Sequence, residues 1–256
     1  DAFGTDEFDE LYVRYESDGS IPRKTIGAQE LFLDLLKERA ETGRLYIMNI
    51  DHCNSHSSFT DKVEMSNLCQ EITLPTKPLN HIDDPNGEIA LCILSAVNVG
   101  KIRDLEDLEV LCDLAVRSLD ELIDFQNYPI RAAEIATKAR RSLGIGYIGL
   151  AHYLAKNGQG YSDPGAWKLV HELSEAFQYY LIQSTVNLAE EKGACEYSSR
   201  TKYGNGILPI DTYKNDVDEI VPNELHYDWE SLRLRVQEHG VRNSTLSAQM
   251  PSESSS

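Results

Sequence analysis

Residues 89–94 read IALCIL, an unbroken apolar run that contains Cys92. Its length suits a strand that is buried on both faces, and the preceding DPNG at residues 84–87 is typical of a turn. We therefore predict a buried strand here, with Cys92 inside it.

Outward from this run, predicted helices alternate with predicted strands. Alternation of this kind predicts an α/β fold, and the pattern alone fits either a barrel or an open doubly wound sheet. The predicted segments are an irregular acidic connection at 1–25, a helix at 28–39, a strand at 45–50, a helix from Asp104 to before Tyr128, a strand at 143–147, and helices near Ala151 and at 167–191.

Composition limits the partners of the chain. Its 256 residues carry 42 acidic and 24 basic side chains, and the formal net charge of -18 opposes binding to nucleic acid. The five cysteines are an odd number and too sparse for a disulfide framework, which favours reduced thiols. No apolar run approaches the ~18 residues that a membrane span needs. We expect a cytoplasmic protein that binds neither nucleic acid nor membrane.

The sequence SNLCQE at residues 66–71 holds the most reactive combination of side chains. In an extended segment, side chains alternate between faces, so Asn67, Cys69 and Glu71 are predicted to share one face. A thiol, an amide and a carboxylate on one surface suit chemistry on a hydroxyl-bearing substrate. The alternative is a structural cysteine beside a surface carboxylate.

Several blocks along nearly the whole chain resemble the large subunit of ribonucleotide reductases, in that family's order. The likeness is greatest to the aerobic class that works with a di-iron partner, and cobalamin-dependent relatives come next. The blocks are NLC at 67–69, GEIALC at 87–92, RSLGIG at 141–146, GILPIDTY at 206–213, GVRN at 240–243 and SAQMPSESS at 247–255.

This resemblance implies a fold and an activity. The fold is the central part of the family's ten-stranded α/β barrel, with a finger loop that bears a cysteine. Residues 1–256 are then one partial catalytic domain, an internal fragment predicted to be inactive alone because the second cysteine of the family's reducing pair lies outside it. The activity is reduction of ribonucleoside diphosphates to deoxyribonucleoside diphosphates by thiyl-radical chemistry, for DNA precursor synthesis.

The same resemblance assigns roles to four residues. Cys69 abstracts a hydrogen atom from the ribose, Glu71 accepts the proton of the 3′-hydroxyl, and Asn67 holds the ribose and the Glu71 carboxylate in place. Cys92 is one member of the reducing cysteine pair, and its partner lies outside this chain. Without the resemblance, Cys92 would be interpreted as an ordinary buried thiol.

The last block predicts a phosphate site. Hydroxyls and backbone N–H groups at a helix N-terminus bind phosphate without Lys or Arg, and the resemblance implies that this turn holds the substrate diphosphate. A disordered Ser-rich tail is the alternative. The candidate residues are Pro251, Ser252, Glu253, Ser254 and Ser255.

No cofactor or metal is expected in this chain itself. The His52-Cys53 and His56 group lacks the second ligand pair of a zinc site. The resemblance implies a radical-generating di-iron small subunit with a tyrosyl radical, a thioredoxin- or glutaredoxin-type dithiol donor, a homodimer formed mostly through segments outside the fragment, and nucleotide effectors bound outside it. A non-autonomous piece of a split large subunit and a cysteine-nucleophile hydrolase remain alternatives.

Overall fold

A computed structural model describes residues 6–221 and 224–251. The chain divides into two compact units, Asp1–Ile47 and Met48–Ser256. The prediction that residues 1–256 form one partial domain is not tested by this division and stays a prediction.

The first unit contains two exposed helices. Helix α1, Asp6–Ser17, lies where an irregular connection was predicted, and its acidic first turn complements the positive end of a helix dipole. Helix α2, Ala28–Thr42, confirms the predicted helix and ends at Gly43, whose φ of 65° is the left-handed cap that glycine favours. Neither of these two helices buries a residue.

The second unit contains the remaining helices and both strands of the described residues. Short 3-10 turns connect several of them. The elements are α3 Ile50–His56, β1 Ile93–Asn98, α4 Asp107–Phe125, α5 Arg131–Arg140, β2 Leu143–Ile148, α6 Leu150–Lys156, α7 Pro164–Lys192, α8 Pro209–Thr212 and α9 Trp229–His239.

The two strands form a parallel pair. Ile93 lies opposite Leu143 and Asn98 opposite Ile148. The strand predicted at residues 143–147 is confirmed as β2, whereas the strand predicted at 89–94 begins only at Ile93. Glu88 forms two backbone hydrogen bonds with Lys77 instead, and the Ile89 N–H donates to the Ala132 carbonyl. The backbone groups of residues 88 and 89 are therefore hydrogen-bonded to other segments, and pairing with β2 starts further along the chain, at Ile93.

The strand predicted at residues 45–50 is wrong. Residues 44–49 have no regular structure and α3 begins at Ile50. A β-rich composition does not make a strand without a hydrogen-bonded neighbour, and no described strand pairs with this segment.

The main core lies between the sheet and two long helices. The buried side chains of α4 recur every three or four residues, as in Leu108, Cys112, Val116 and Leu119. The predicted helix is confirmed, but its predicted apolar side, which included Leu111 and Leu122, is wrong, because both of these leucines are exposed. The buried stripe packs on α7 and on the sheet. The core anchors β1 and β2, and thereby the residues at their ends.

The mixed helix and strand content predicted from the sequence is confirmed. The described strands form an open two-stranded sheet. The ten-stranded barrel and its finger loop stay predictions.

Candidate active site

A cavity of about 190 Å³ opens where several segments of the second unit meet. Both Glu71 and Cys92 line it, so two of the four predicted catalytic residues share one space. His56, Tyr203, Thr245 and Ser247 are also among the lining residues.

The β-sheet positions one wall of this cavity. Cys92 immediately precedes β1. On the other side of β2, Leu143 donates its N–H to the Thr245 carbonyl at 3.0 Å, and Ile145 pairs with Ser247 in a parallel bridge. The segment at residues 245–248 thus runs beside β2 almost like a third strand, and it brings Thr245 and Ser247 to the cavity.

A small apolar cluster positions the opposite wall. Ile72 and Cys92 both pack against this cluster, which lies outside the main core. Glu71 precedes Ile72, so the same packing that seats the cysteine also places the carboxylate. The buried members of the cluster are Phe59, Val63 and Leu74.

The loop that carries Asn67 and Cys69 is a turn. The Gln70 N–H donates to the Asn67 carbonyl at 3.2 Å, and the Asn67 N–H donates to the Ile72 carbonyl at 3.0 Å. The Asn67 Oδ1 accepts from the Ile72 N–H at 3.1 Å, and Gln70 has a left-handed φ of 64°. The predicted extended segment is therefore wrong, because the chain reverses direction and the two-residue alternation of faces does not apply.

Cys69 lies at the exposed tip of this turn. Its neighbour Leu68 is 83% exposed, and Cys69 is itself exposed and is not among the residues that line the cavity. The structure therefore brings Glu71 and Cys92 together and leaves Cys69 outside their cavity. The role of Cys69 stays a prediction.

The thiol of Cys92 is held in its protonated form. Burial, and then the charge of Glu71, raise the pKa of Cys92 to about 12. Its Sγ is 3.9 Å from the Ile93 carbonyl oxygen, to which the S–H donates weakly. A thiol in this state can give a proton and is a poor nucleophile at neutral pH.

Glu71 carries an unused acceptor. Its Oε2 is buried and has no hydrogen-bond partner. A buried carboxylate oxygen without a donor is costly, so the arrangement suits a carboxylate that completes its hydrogen bonds with a ligand. A hydroxyl group is the simplest donor that fits.

Sequence reasoning missed the ion network that joins the two walls. Glu88 is buried, and its Oε2 accepts from Arg140 Nη2 at 2.8 Å while its Oε1 lies 2.5 Å from Lys77 Nζ. Arg140 also donates to Asp61 at 2.9 Å. Burial opposes ionisation of Glu88, but the two cations outweigh it and lower its pKa. The sequence offered one sign of this network, the acidic Glu88 directly before the apolar run at residues 89–94. Its charge partners are distant in sequence, so residue spacing could not identify them.

A second buried network holds the segment that leads to residues 245–248. Asn243 is fully buried and donates to Asp120 Oδ1 at 3.0 Å and to the Arg141 carbonyl at 3.1 Å. Arg141 also donates to Asp120 at 2.6 Å. Asn243 belongs to the predicted GVRN block, and its role in the structure is to fix this segment against α4 and β2.

The predicted phosphate turn begins at the edge of the described residues. Pro251 is exposed and follows shortly after Ser247 and Ala248, which line the cavity. Ser252, Glu253, Ser254 and Ser255 lie outside the described residues, so their predicted role stays a prediction.

The described residues lack two features, a cluster of metal ligands and a membrane-spanning helix. No group of three or more His, Cys, Asp or Glu side chains within them could hold a metal ion. Between residues 6 and 251, with 222–223 left aside, no helix has the length and apolar character needed to cross a membrane.

Comparison with known proteins places the chain in a family. The family described as ribonucleotide reductase, barrel domain, matches residues 1–256. Ribonucleoside-diphosphate reductase subunit alpha of Haemophilus influenzae is 61% identical over 98% of this chain and 34% of its own length. Ribonucleoside-diphosphate reductase 1 subunit alpha of Escherichia coli is 56% identical over 100% of this chain and 34% of its own length.

The likeness extends to a viral protein. Ribonucleoside-diphosphate reductase subunit alpha of Enterobacteria phage T4 is 44% identical over 98% of this chain and 33% of its own length. The chain thus spans about a third of the length of the curated relatives that it matches. The predicted recognition is confirmed, and the chain belongs to the ribonucleotide reductase barrel domain family.

Proposed function

We propose that this chain supplies the catalytic region of a ribonucleoside-diphosphate reductase large subunit, which reduces the ribose 2′-carbon of ribonucleoside diphosphates. One observation carries the proposal: in a chain of this family, the Glu71 carboxylate and the Cys92 thiol line one cavity. The relatives are named as alpha subunits of this enzyme, which supports the same activity here.

The two cavity residues divide the acid and base work. The unpartnered Oε2 of Glu71 accepts a hydrogen bond, and then the proton, from the ribose 3′-hydroxyl. The protonated thiol of Cys92 gives its proton to the departing 2′-hydroxyl, which leaves as water. Its pKa of about 12 keeps that proton available at neutral pH.

The radical step is assigned to Cys69 by the family resemblance. A Cys69 thiyl radical takes the hydrogen atom from the 3′-carbon, and the resulting thiol returns a hydrogen atom to that carbon at the end. Two electrons come from Cys92 and a second thiol outside this chain, which join in a disulfide. The overall balance is one ribonucleotide and two thiols to one deoxyribonucleotide, one disulfide and one water.

The exposed tip of the turn at Leu68 and Cys69 belongs to the same proposal. We place it as the finger loop of the ten-stranded barrel, where barrel segments of the longer protein would enclose it. Its turn hydrogen bonds between Asn67 and Ile72 make it a defined projection.

The diphosphate is placed at residues 251–255. Support comes from Ser247 and Ala248, which line the cavity just before Pro251, so the turn would start at the cavity edge. Backbone N–H groups there would hold the phosphates against a chain with a net charge of -18.

The proposal includes partners. A di-iron small subunit would generate the radical, and a thioredoxin- or glutaredoxin-type protein would reduce the disulfide. A homodimer and nucleotide effectors would use segments mostly outside this chain. All five cysteines are free thiols, which supports a reducing, cytoplasmic location.

Turnover by the complete subunit with its small subunit tests the function. Cys69→Ser should bind a ribonucleoside diphosphate normally and form no deoxynucleotide. Cys53→Ser, which changes a partly exposed cysteine that is not among the residues lining the cavity, is the matched control and should retain activity. Appreciable product from Cys69→Ser would reject the assignment.

A further inference from the structure

We propose that Gly144 is a positioning residue for the Cys92 thiol, because its lack of a side chain leaves the space in which the sulfur sits beside the cavity. The inference rests on the proposed function for the chemical role of Cys92. The geometric part stands on contacts within the sheet.

A side chain at position 144 would collide with the sulfur of Cys92. A Cβ atom added to Gly144 would lie 2.8 Å from Cys92 Sγ, 2.5 Å from Leu94 Cδ2 and 3.2 Å from Ala248 Cβ. Real Cβ atoms do not approach sulfur this closely, so at least one neighbour would have to move. Leu94 is 46% exposed and its methyl group is the far end of a flexible side chain, so it can turn aside.

The backbone gives no other reason for a glycine here. Gly144 is not among the glycines with positive φ, and it lies within the regular register of β2 opposite Leu94. Any residue could adopt this conformation. The position therefore requires glycine for space.

The cavity offers the displaced sulfur open space. Leu94 and Ala248 occupy the sides of the Gly144 position, and Cys92 itself lines the cavity. A methyl group at residue 144 would therefore push the sulfur into the cavity, away from the Ile93 carbonyl oxygen that it now contacts at 3.9 Å. The thiol would become more exposed and would no longer hold its present position relative to Glu71.

Gly146 offers a matched control on the same face of β2. Its added Cβ would be equally crowded, at 2.6 Å from the Ala248 carbonyl oxygen and 2.7 Å from Met250 Cε. Its nearest neighbours do not include Cys92. Both changes add one methyl group to the same strand, and only Gly144→Ala meets the sulfur.

The first test is a double-mutant cycle in the complete subunit. Gly144→Ala should lower Tm, and the drop should be at least halved in a Cys92→Ala background, because the sulfur has been removed. Gly146→Ala should lower Tm equally in both backgrounds. Equal drops for Gly144→Ala in the two backgrounds would overturn the proposal. If Gly144→Ala alone does not fold, the double variant must recover folding, and failure to recover would overturn it as well.

The second test measures the thiol directly. Alkylation of Cys92, mapped by mass spectrometry on the folded protein, should be about tenfold faster in Gly144→Ala, which corresponds to one unit of pKa. The rate in Gly146→Ala should equal that of the unchanged protein. An unchanged rate in Gly144→Ala would contradict the displacement of the sulfur.

Turnover separates this inference from the proposed function. Gly144→Ala should lower kcat with little change in KM, whereas Gly146→Ala should raise KM because it crowds Met250 beside the proposed phosphate turn. The Tm coupling between residues 144 and 92 and the alkylation rate of Cys92 can both be measured without turnover. If both behave as expected and the unchanged subunit makes no deoxynucleotide, the proposed function fails and the positioning stands. A kcat for Gly144→Ala equal to that of the unchanged subunit would show that the seating of the sulfur does not matter to the reaction.

Discussion

The Cys92 thiol lies between two influences that both oppose its ionisation. Burial is the larger, and the negative charge of Glu71 adds to it, so the pKa is raised from 9.0 to about 12. The thiol form is the one that a proton donor needs. Cys69, in contrast, is exposed on its turn.

The charge of Glu71 can be tested through Cys92. Glu71→Gln removes the Coulombic contribution and should lower the pKa of Cys92, so that its alkylation at fixed pH becomes faster by up to about tenfold, or one pKa unit. Glu64→Gln, an exposed acid on the same segment, is the matched control and should have no effect. Equal rates in the two variants would show that Glu71 does not act on this thiol.

The same shift has a consequence for stability at high pH. Because the folded pKa is raised, the Cys92 contribution is complete below pH 9 and is lost as the pH rises from 9 towards 12. The Cys92→Ala variant should lose less stability than the unchanged protein over this range, as measured by urea unfolding. A parallel loss in both proteins would contradict the shift.

Gln70 holds a backbone conformation that most residues avoid. At a φ of 64°, Gln70→Gly should change the free energy of unfolding by less than about 0.5 kcal/mol, because relief of strain offsets the greater freedom of the unfolded chain. Gln70→Val should cost about 1–2 kcal/mol, since a β-branched residue is worse still at positive φ. Urea unfolding of both variants checks this, and equal effects would contradict the strained turn.

At the residue scale, the sequence indicated which side chains matter better than it indicated their geometry. The 67–71 pattern was interpreted as extended because its residue types alternate. The Asn67 side chain accepts from the Ile72 N–H and closes a turn instead, which is local hydrogen bonding that alternation does not encode.

A buried ion network joins two of the segments that flank the cavity. Glu88 lies just before β1, and Lys77 lies just after the segment that carries Glu71. Glu88 forms an ion pair with Arg140 at the end of α5 and another with Lys77, so it links the two cations. Because the two walls are joined by charge pairs, a change in this network should alter the cavity as well as the stability.

The network yields a stability prediction at this scale. Glu88→Gln leaves Arg140 and Lys77 without their shared, buried anion. It should lower the free energy of unfolding by about 3 kcal/mol. Glu134→Gln, in the exposed Glu134–Lys138 pair of α5, is the matched control and should cost less than about 0.5 kcal/mol. Urea unfolding measures both, and similar costs would show that the buried pair contributes no more than the surface pair.

Element positions were predictable where packing is local. The helix α4 and the strand β2 were found because their periodicity and length are properties of a short window. The start of β1 was missed because Glu88 and Ile89 bond to Lys77 and Ala132, and partners distant in sequence leave no trace in a local pattern.

At the scale of the whole molecule, the cavity is made by segments that are far apart in sequence. His56, Glu71, Cys92 and Ser247 reach it from four places. The sequence predicted that Glu71 and Cys92 would be near each other only through the family resemblance. It placed Cys69 with them, whereas the described residues leave Cys69 exposed on its turn.

The position of a bound ribose tests the central claim most directly. In a structure of the complete subunit with a ribonucleoside diphosphate, we predict the 3′-hydroxyl within about 3 Å of Glu71 Oε2 and the 2′-hydroxyl facing Cys92 Sγ. A ribose bound away from the cavity shared by Glu71 and Cys92 would contradict the account.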